Sequence, residues 1–228
     1  MKWTRLVVVA AAAIAGAHAA HAQGVKIGIL NDQSGVYADY GGTYSLEAAR
    51  MAVEDFGGKV LDRKIEVLVA DHQNKPEIAV ATAKEWYEAK GVSLIGNLIN
   101  SGVALAVASV AAKQNGIAIV NGSGSSKLTG AGCTPHSIHY AYDTYALANG
   151  TANQLVKQGL KDWYFLTADY AFGHALEADA SAVVKKIGGT VVDAIKYPIE
   201  SSDHSAFMLQ AFSSPAKVVA IAGSGTTF

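Results

Sequence analysis

The chain has 228 residues, half of them apolar, with 18 basic against 19 acidic side chains and a formal net charge of −1. That balance excludes binding to nucleic acid or anionic lipid through a basic surface, which needs a stripe of Lys and Arg able to neutralise several phosphates. A single cysteine, Cys133, excludes an intrachain disulfide and a thiolate metal cluster, so the fold must rest on an apolar core that a chain of this length can supply.

Residues 1–22 read as a cleaved secretory signal peptide. Lys2 and Arg5 precede an apolar run from Leu6 to Ala17, and Ala20-His21-Ala22 places small residues around a cleavage point before Gln23. The apolar run is too short to cross a bilayer, which takes about 18 residues or more. No cysteine stands at the cleavage point to carry a lipid, so a soluble mature protein is expected, slightly more acidic once Lys2 and Arg5 are removed.

From Val25 onward, short β-type runs alternate with longer helical patterns, the signature of an α/β fold with parallel sheets flanked by helices. Strands are expected over 25–30, 64–70, 92–95, 117–120, 137–142, 163–167, 190–197 and 217–222, most of them apolar at the centre as strands covered on both faces should be. Helices are expected over 43–56, 76–90, 102–114, 144–158, 174–187 and 203–212. In the first, Leu46, Ala49, Val53 and Phe56 form one stripe, and Gly57-Gly58 ends it where a left-handed backbone is easiest. Pro76 suits the first turn of the second, and Trp86 and Tyr87 are read as packing residues. A passage near residues 140–145 divides the chain into a first α/β lobe, 23–142, and a second, partial one, 143–228.

Open α/β sheets bind ligands beyond the C-terminal ends of their strands, so the loops there are informative. The first, Asn31 to Gly42, is far longer than an ordinary βα loop of about 2–6 residues, and its Tyr37 and Tyr40 suit a ligand cover or simple loop packing. Gly96 to Gly102 runs into a helix with Asn100 or Ser101 as its N-cap, and the unpaired amides of a helix start attract a carboxylate, although an ordinary cap needs no ligand. Asn121 to Lys127 brings Ser123, Gly124 and Ser125 alongside if the two strands are neighbours. Ala168 to Gly173 supplies Asp169, Tyr170 and Phe172 as an opposing surface, or, more plainly, a cap and a core residue.

Other motifs fail. Gly122 to Lys127 is not a phosphate loop, because Ser precedes Lys127 and Leu follows it, and Lys127 spoils a dinucleotide fingerprint. His136 and His139 lack a third ligand, so no metal and no cofactor is expected. No nucleophile, base and orienting group come together, so no enzyme is expected.

The strand V-K-I-G-I-L followed by S-G-V-Y-A-D-Y-G, the helix L-E-A-A-R-M-A-V-E-D-F-G-G, the segment G-N-L-I-N-S-G-V-A-L-A and the turn A-D-Y-A-F-G resemble, in order and spacing, the type I periplasmic binding proteins of branched-chain amino acid ABC transporters. The resemblance implies a two-lobed clamshell in the periplasm, monomeric when full-length. It would carry an amino acid or a related small carboxylate, aromatic ones included, to a membrane permease. Asn100, Ser101, Ser123, Gly124 and Ser125 would then grip the carboxylate, and Tyr37 and Phe172 would flank the ligand. Asp143, Thr144 and Tyr145 would lie at the crossover, the first two as hinge. The same clamshell also serves as a sensing domain of receptors and regulators. The familiar first-lobe disulfide and the acidic residue that holds an ammonium are absent, and members of the family run well over a hundred residues further, so the chain is expected to be a fragment.

Overall fold

The computed structural model describes residues 24–225; the expected signal peptide, 1–22, lies outside the described residues. The first sheet is built from β1 (Val25–Asn31), β2 (Lys59–Val60), β3 (Arg63–Asp71), β4 (Val92–Gly96), β5 (Ile117–Val120) and β6 (Ser137–His139), in the order β2-β3-β1-β4-β5-β6. All its neighbours are parallel except the β2–β3 hairpin. The second sheet holds β7 (Asp162–Ala168), β8 (Thr190–Tyr197) and β9 (Val218–Ala222), parallel, in the order β8-β7-β9. The helices are α1 (Ala38–Gly41), α2 (Thr43–Asp55), α3 (Pro76–Glu88), α4 (Ser101–Gln114), α5 (Thr144–Lys157), α6 (Ala171–Lys186) and α7 (Ser205–Phe212).

One face of the first sheet is dry. Leu30, Ile95, Ala118 and Val120 meet Trp86 of α3 and Val103 and Val107 of α4, and burial of side chains of this size contributes about 1.5–3 kcal/mol each. In the second sheet Trp163 and Phe165 pack against α5 and α6, while Tyr164, Leu166 and Tyr197 face α7. That alternation is the pleat of β7 made visible.

Three sequence expectations shift and one hairpin appears that was not expected, each for a local reason. The sixth strand stops at His139 instead of residue 142, because its partner β5 ends at Val120, and only the Tyr140 amide reaches back to the Val120 carbonyl (2.8 Å). Helix α6 begins three residues early. Gly173 lies inside its first turn, where a Cβ would come within 2.1 Å of the Ala168 carbonyl oxygen, so this glycine serves close approach and not a break. The hairpin turn at Leu61 and Asp62 has φ of 50° and 60° without glycine or asparagine to announce it. Finally, the stripe on α2 is only partly covered: Leu46 is buried but Phe56 is 67% exposed, and Val53 and Phe56 border an open apolar groove with Ile27, Ile65 and Val67. Among the described residues nothing packs over that groove.

Each sheet has a topological switch point. The chain leaves β1 for β3 on one side and then crosses to β4 on the other, and β7 is likewise flanked by β8 and β9. Such points open a crevice beyond the strand ends. The loops after β1, β4, β7 and β9 meet there.

Candidate ligand-binding cleft

The loops after β4 and β5 are neighbours because the strands are paired. Ser123 donates to the Leu98 carbonyl through both its amide (3.2 Å) and its Oγ (2.8 Å), the Ser125 amide donates to Ser101 Oγ (3.3 Å), and the Asn97 amide donates to Asn121 Oδ1 (3.0 Å). Asn100, extended at ψ 125°, is the N-cap of α4: its Oδ1 accepts from the amides of Gly102 (2.8 Å) and Val103 (3.1 Å). The Asn100 carboxamide and the Ser123 hydroxyl are therefore engaged within the protein, whereas Ser101 Oγ and Ser125 Oγ, the latter accepting from the Lys127 amide (3.4 Å), serve only as acceptors and keep an O–H to donate. Among the described residues, the amides of Ser101 and Gly124 have no acceptor within the protein, and neither do those of Ile99 and Gly122 beside them.

The space in front of these amides is closed by aromatic rings. Tyr37, Tyr40, Tyr142, Tyr170 and Phe172 line it with Ile99, Ser101, Gly122, Gly124 and Ser224, around a cavity of ≈ 10 Å³, room for at most one water. Tyr37 is 2% exposed, its ring 6.3 Å from those of both Tyr40 and Tyr170, and Tyr170 stands 6.1 Å from Phe172. The hydroxyls of Tyr37 and Tyr170 are hydrogen-bonded to each other, joining the loop after β1 to the loop after β7. Burial pushes the phenol groups of Tyr37, Tyr170 and Tyr142 above their ordinary range, so all three stay neutral and able to donate. No charged side chain lines the cavity.

The remaining expected residues divide. Phe172, 5% exposed, is in the lining, as are Tyr37, Ser101, Gly124 and Tyr170. Asp169 turns to His174 instead, Oδ1 to Nε2 at 2.7 Å on the surface, and Tyr145 is 60% exposed and does not line the cavity. Asp143 caps α5 by accepting from the Ala146 amide (2.8 Å). Thr144 is fully buried where the chain passes from one sheet to the other. Its amide donates to the Gly124 carbonyl (2.7 Å), and its Oγ1 accepts from the Ser126 amide (3.0 Å) and donates to Asp179 Oδ2 of α6 (2.6 Å). His136 and His139 bond to the carbonyls of Gly116 (2.9 Å) and Ser123 (2.7 Å).

Sequence reasoning missed Ile99, Gly122, Tyr142 and Ser224 in the lining, and a buried polar group behind it. Asp32, His72 and Asn100 are each at most 3% exposed, and Asn74 lies between them. The register pairs Asn31 with Asp71, so the residues that follow β1 and β3 are forced together. Polar runs after two adjacent strands were the available signal. His72 Nδ1 accepts from the Asn74 amide (3.0 Å), and burial drives the imidazole pKa from 6.5 to about 4 against the pull of Asp32 and Asp71.

Residues 24–228 match the profile of a family described as periplasmic binding protein. A solved periplasmic binding protein from Burkholderia mallei is 50% identical, with a TM-score of 0.85 over 89% of this chain and 54% of that one. The Leu/Ile/Val-binding protein homolog 6 of Brucella abortus (strain 2308) is 29% identical over 214 residues, 92% of this chain and 54% of the relative. A solute-binding protein of an ABC transporter from R. palustris, solved with benzoate, shares the fold at 23% identity and a TM-score of 0.80, over 90% of this chain and 57% of that one. The chain thus spans about half the length of these relatives. Two parallel sheets meeting at their switch points, read with the profile match, establish that the chain belongs to the periplasmic binding protein family.

Proposed function

We propose that the chain is the ligand-gripping part of a solute-binding protein that serves an ABC importer, capturing a small carboxylate between two lobes and delivering it to a membrane permease without chemistry. The observation that carries this reading is a pair of unbonded amides, Ser101 at the start of α4 and Gly124 in the loop beside it, beneath a wall of aromatic rings. A helix start favours an anion, and charge-assisted hydrogen bonds contribute about 1.5–3 kcal/mol each. Micromolar affinity corresponds to about 8 kcal/mol, so the rings of the facing loop have to supply the rest. Four tyrosines, one phenylalanine and no charged side chain suit a flat carboxylic acid without an ammonium group, as benzoate is for the R. palustris relative. An aliphatic amino acid of the kind named for the Brucella relative would need a counter-charge from elsewhere.

The lobes are assigned to 23–142 and 143–228, with Asp143 and Thr144 as hinge. A cavity this small admits no solute, so the lobes part, the tyrosine pair separates, and closure over the ligand follows by differential affinity. Export to the periplasm behind residues 1–22 fits this role. Isothermal titration of the mature protein with benzoate, 4-hydroxybenzoate, leucine and benzamide tests it. Binding of the acids and not the amide is expected; silence toward every carboxylate overturns it.

A further inference from the structure

The buried polar group behind the cleft forms a chain of hydrogen bonds running one way. The amides of Gly102 and Val103 donate to Asn100 Oδ1 (2.8 and 3.1 Å), Asn100 Nδ2 donates to Asn74 Oδ1 (3.3 Å), and Asn74 Nδ2 donates to Asp32 Oδ2. Asp32 also accepts from the Gly35 amide at Oδ1 (2.8 Å) and the Tyr37 amide at Oδ2 (2.9 Å). Its carboxylate is fully buried, and none of the ion pairs among the described residues includes it. Burying such a group is tolerable only when its lone pairs are filled, and here backbone and amide donors fill them. Gly35 is fitted to the arrangement: a Cβ there would lie 2.7 Å from Asn74 Nδ2 and 2.8 Å from Asp32 Oδ2.

We infer that Asp32 is a positioning residue, the terminal acceptor of a relay through Asn74 and Asn100 that fixes the Tyr37 wall and the start of α4 as one unit. Two consequences bear on the cleft. By holding the Tyr37 backbone, Asp32 sets where that ring stands. By orienting Asn74, it orients the Asn100 carboxamide, whose oxygen takes up the Gly102 and Val103 amides and leaves Ser101 as the available donor at the helix start. One-way chains of this kind polarise each other, so loss of the last acceptor is felt at the first donor. The role in binding rests on the proposed carboxylate site; the coupling itself does not.

The test uses Asp32→Asn and Asn74→Ala in the full chain. Asp32→Asn removes the charge that ends the relay and leaves one oxygen where two accepted, so a donor must face either the Gly35 amide or the Tyr37 amide and Asn74 Nδ2. Hydrogen exchange read by mass spectrometry should be about tenfold faster at Gly35 and Tyr37, and also at Gly102 and Val103, which Asp32 does not touch. Acceleration confined to 35–37 overturns the relay. If Asp32→Asn does not fold, Asn74→Ala carries the test: both ends should exchange faster, and a change limited to the loop around residue 74 overturns it. Benzoate affinity, measured well below the melting temperature, should weaken about tenfold in either variant, whereas a purely structural role would lower the melting temperature and leave the affinity of the folded protein intact, which overturns the positioning role. A wild-type chain that binds neither benzoate nor leucine would sink the carboxylate reading and leave the exchange result to decide the relay.

Discussion

At Gly124 the closed cleft is sensitive to a single atom. A Cβ at this position would stand 2.7 Å from Cε2 of Tyr142 and 3.0 Å from Cε2 of Phe172, against an ordinary carbon contact of about 3.5–4.0 Å. Its backbone φ is not in the left-handed region, so Gly124→Ala carries no penalty of its own in an open form. Tyr142 is 44% exposed and can swing aside, but Phe172, 5% exposed at the start of α6, cannot. Overpacking of this degree costs about 1–3 kcal/mol, and it falls on the closed form because Gly124 and Phe172 follow strands of different sheets. The closing equilibrium should shift by that amount, weakening benzoate about 5- to 150-fold in isothermal titration. The ligand-free variant should also scatter X-rays with a larger radius of gyration than the wild type. An affinity within about twofold of the wild type and an unchanged radius would show that contact between these loops does not govern binding.

Three further outcomes follow from the geometry. His72 is neutral when folded, with a pKa near 4 against 6.5 unfolded, so the unfolded chain binds the extra proton as pH falls. Stability is full above pH 6.5 and declines toward pH 4 by about 3 kcal/mol; urea titrations at several pH values should show this decline, and a His72→Gln variant should lack it. Thr144→Val strands the Ser126 amide and the Asp179 carboxylate together and should cost about 2 kcal/mol in urea unfolding; a loss under about 0.5 kcal/mol would show that the crossover bonds hold nothing. Gly150→Ala, inside α5 with nothing within 4 Å of a new Cβ, should stabilise the chain by about 0.5–1 kcal/mol in thermal melts.

Strand centres were legible because V-K-I-G-I-L or K-V-V-A-I-A leaves no other way to bury so many apolar residues in so short a run. Chain ends of elements were less so. Tyr140 and Tyr142 look like strand residues, yet β5 has no backbone left for them to pair with. The alternation of strands and helices implied parallel sheets, but the strand order that makes the switch points and decides which loops meet was not in it. What could not be read was which bonds these groups make within the protein: Asn100 and the serines make good ligand groups and equally good local caps. Tyr142 and Ser224 were invisible as lining because they reach the cleft from segments far apart in sequence. Asp32 and Asn74, 42 positions apart, depend on the β1–β3 register in the same way.

Among the described residues, the second sheet ends on a strand with one side unclaimed. β9 pairs with β7 alone among the described residues, and its sequence, V-V-A-I-A, carries no charge and no proline. A row of waiting amides and carbonyls on so apolar a ribbon is a template for fibril nucleation, with Lys217 the nearest gatekeeper. Preparations of this chain at high concentration should therefore be expected to seed ordered aggregates from residues 218–222, and a lysine in place of Ile221, which is 43% exposed, is the change that would blunt that growth.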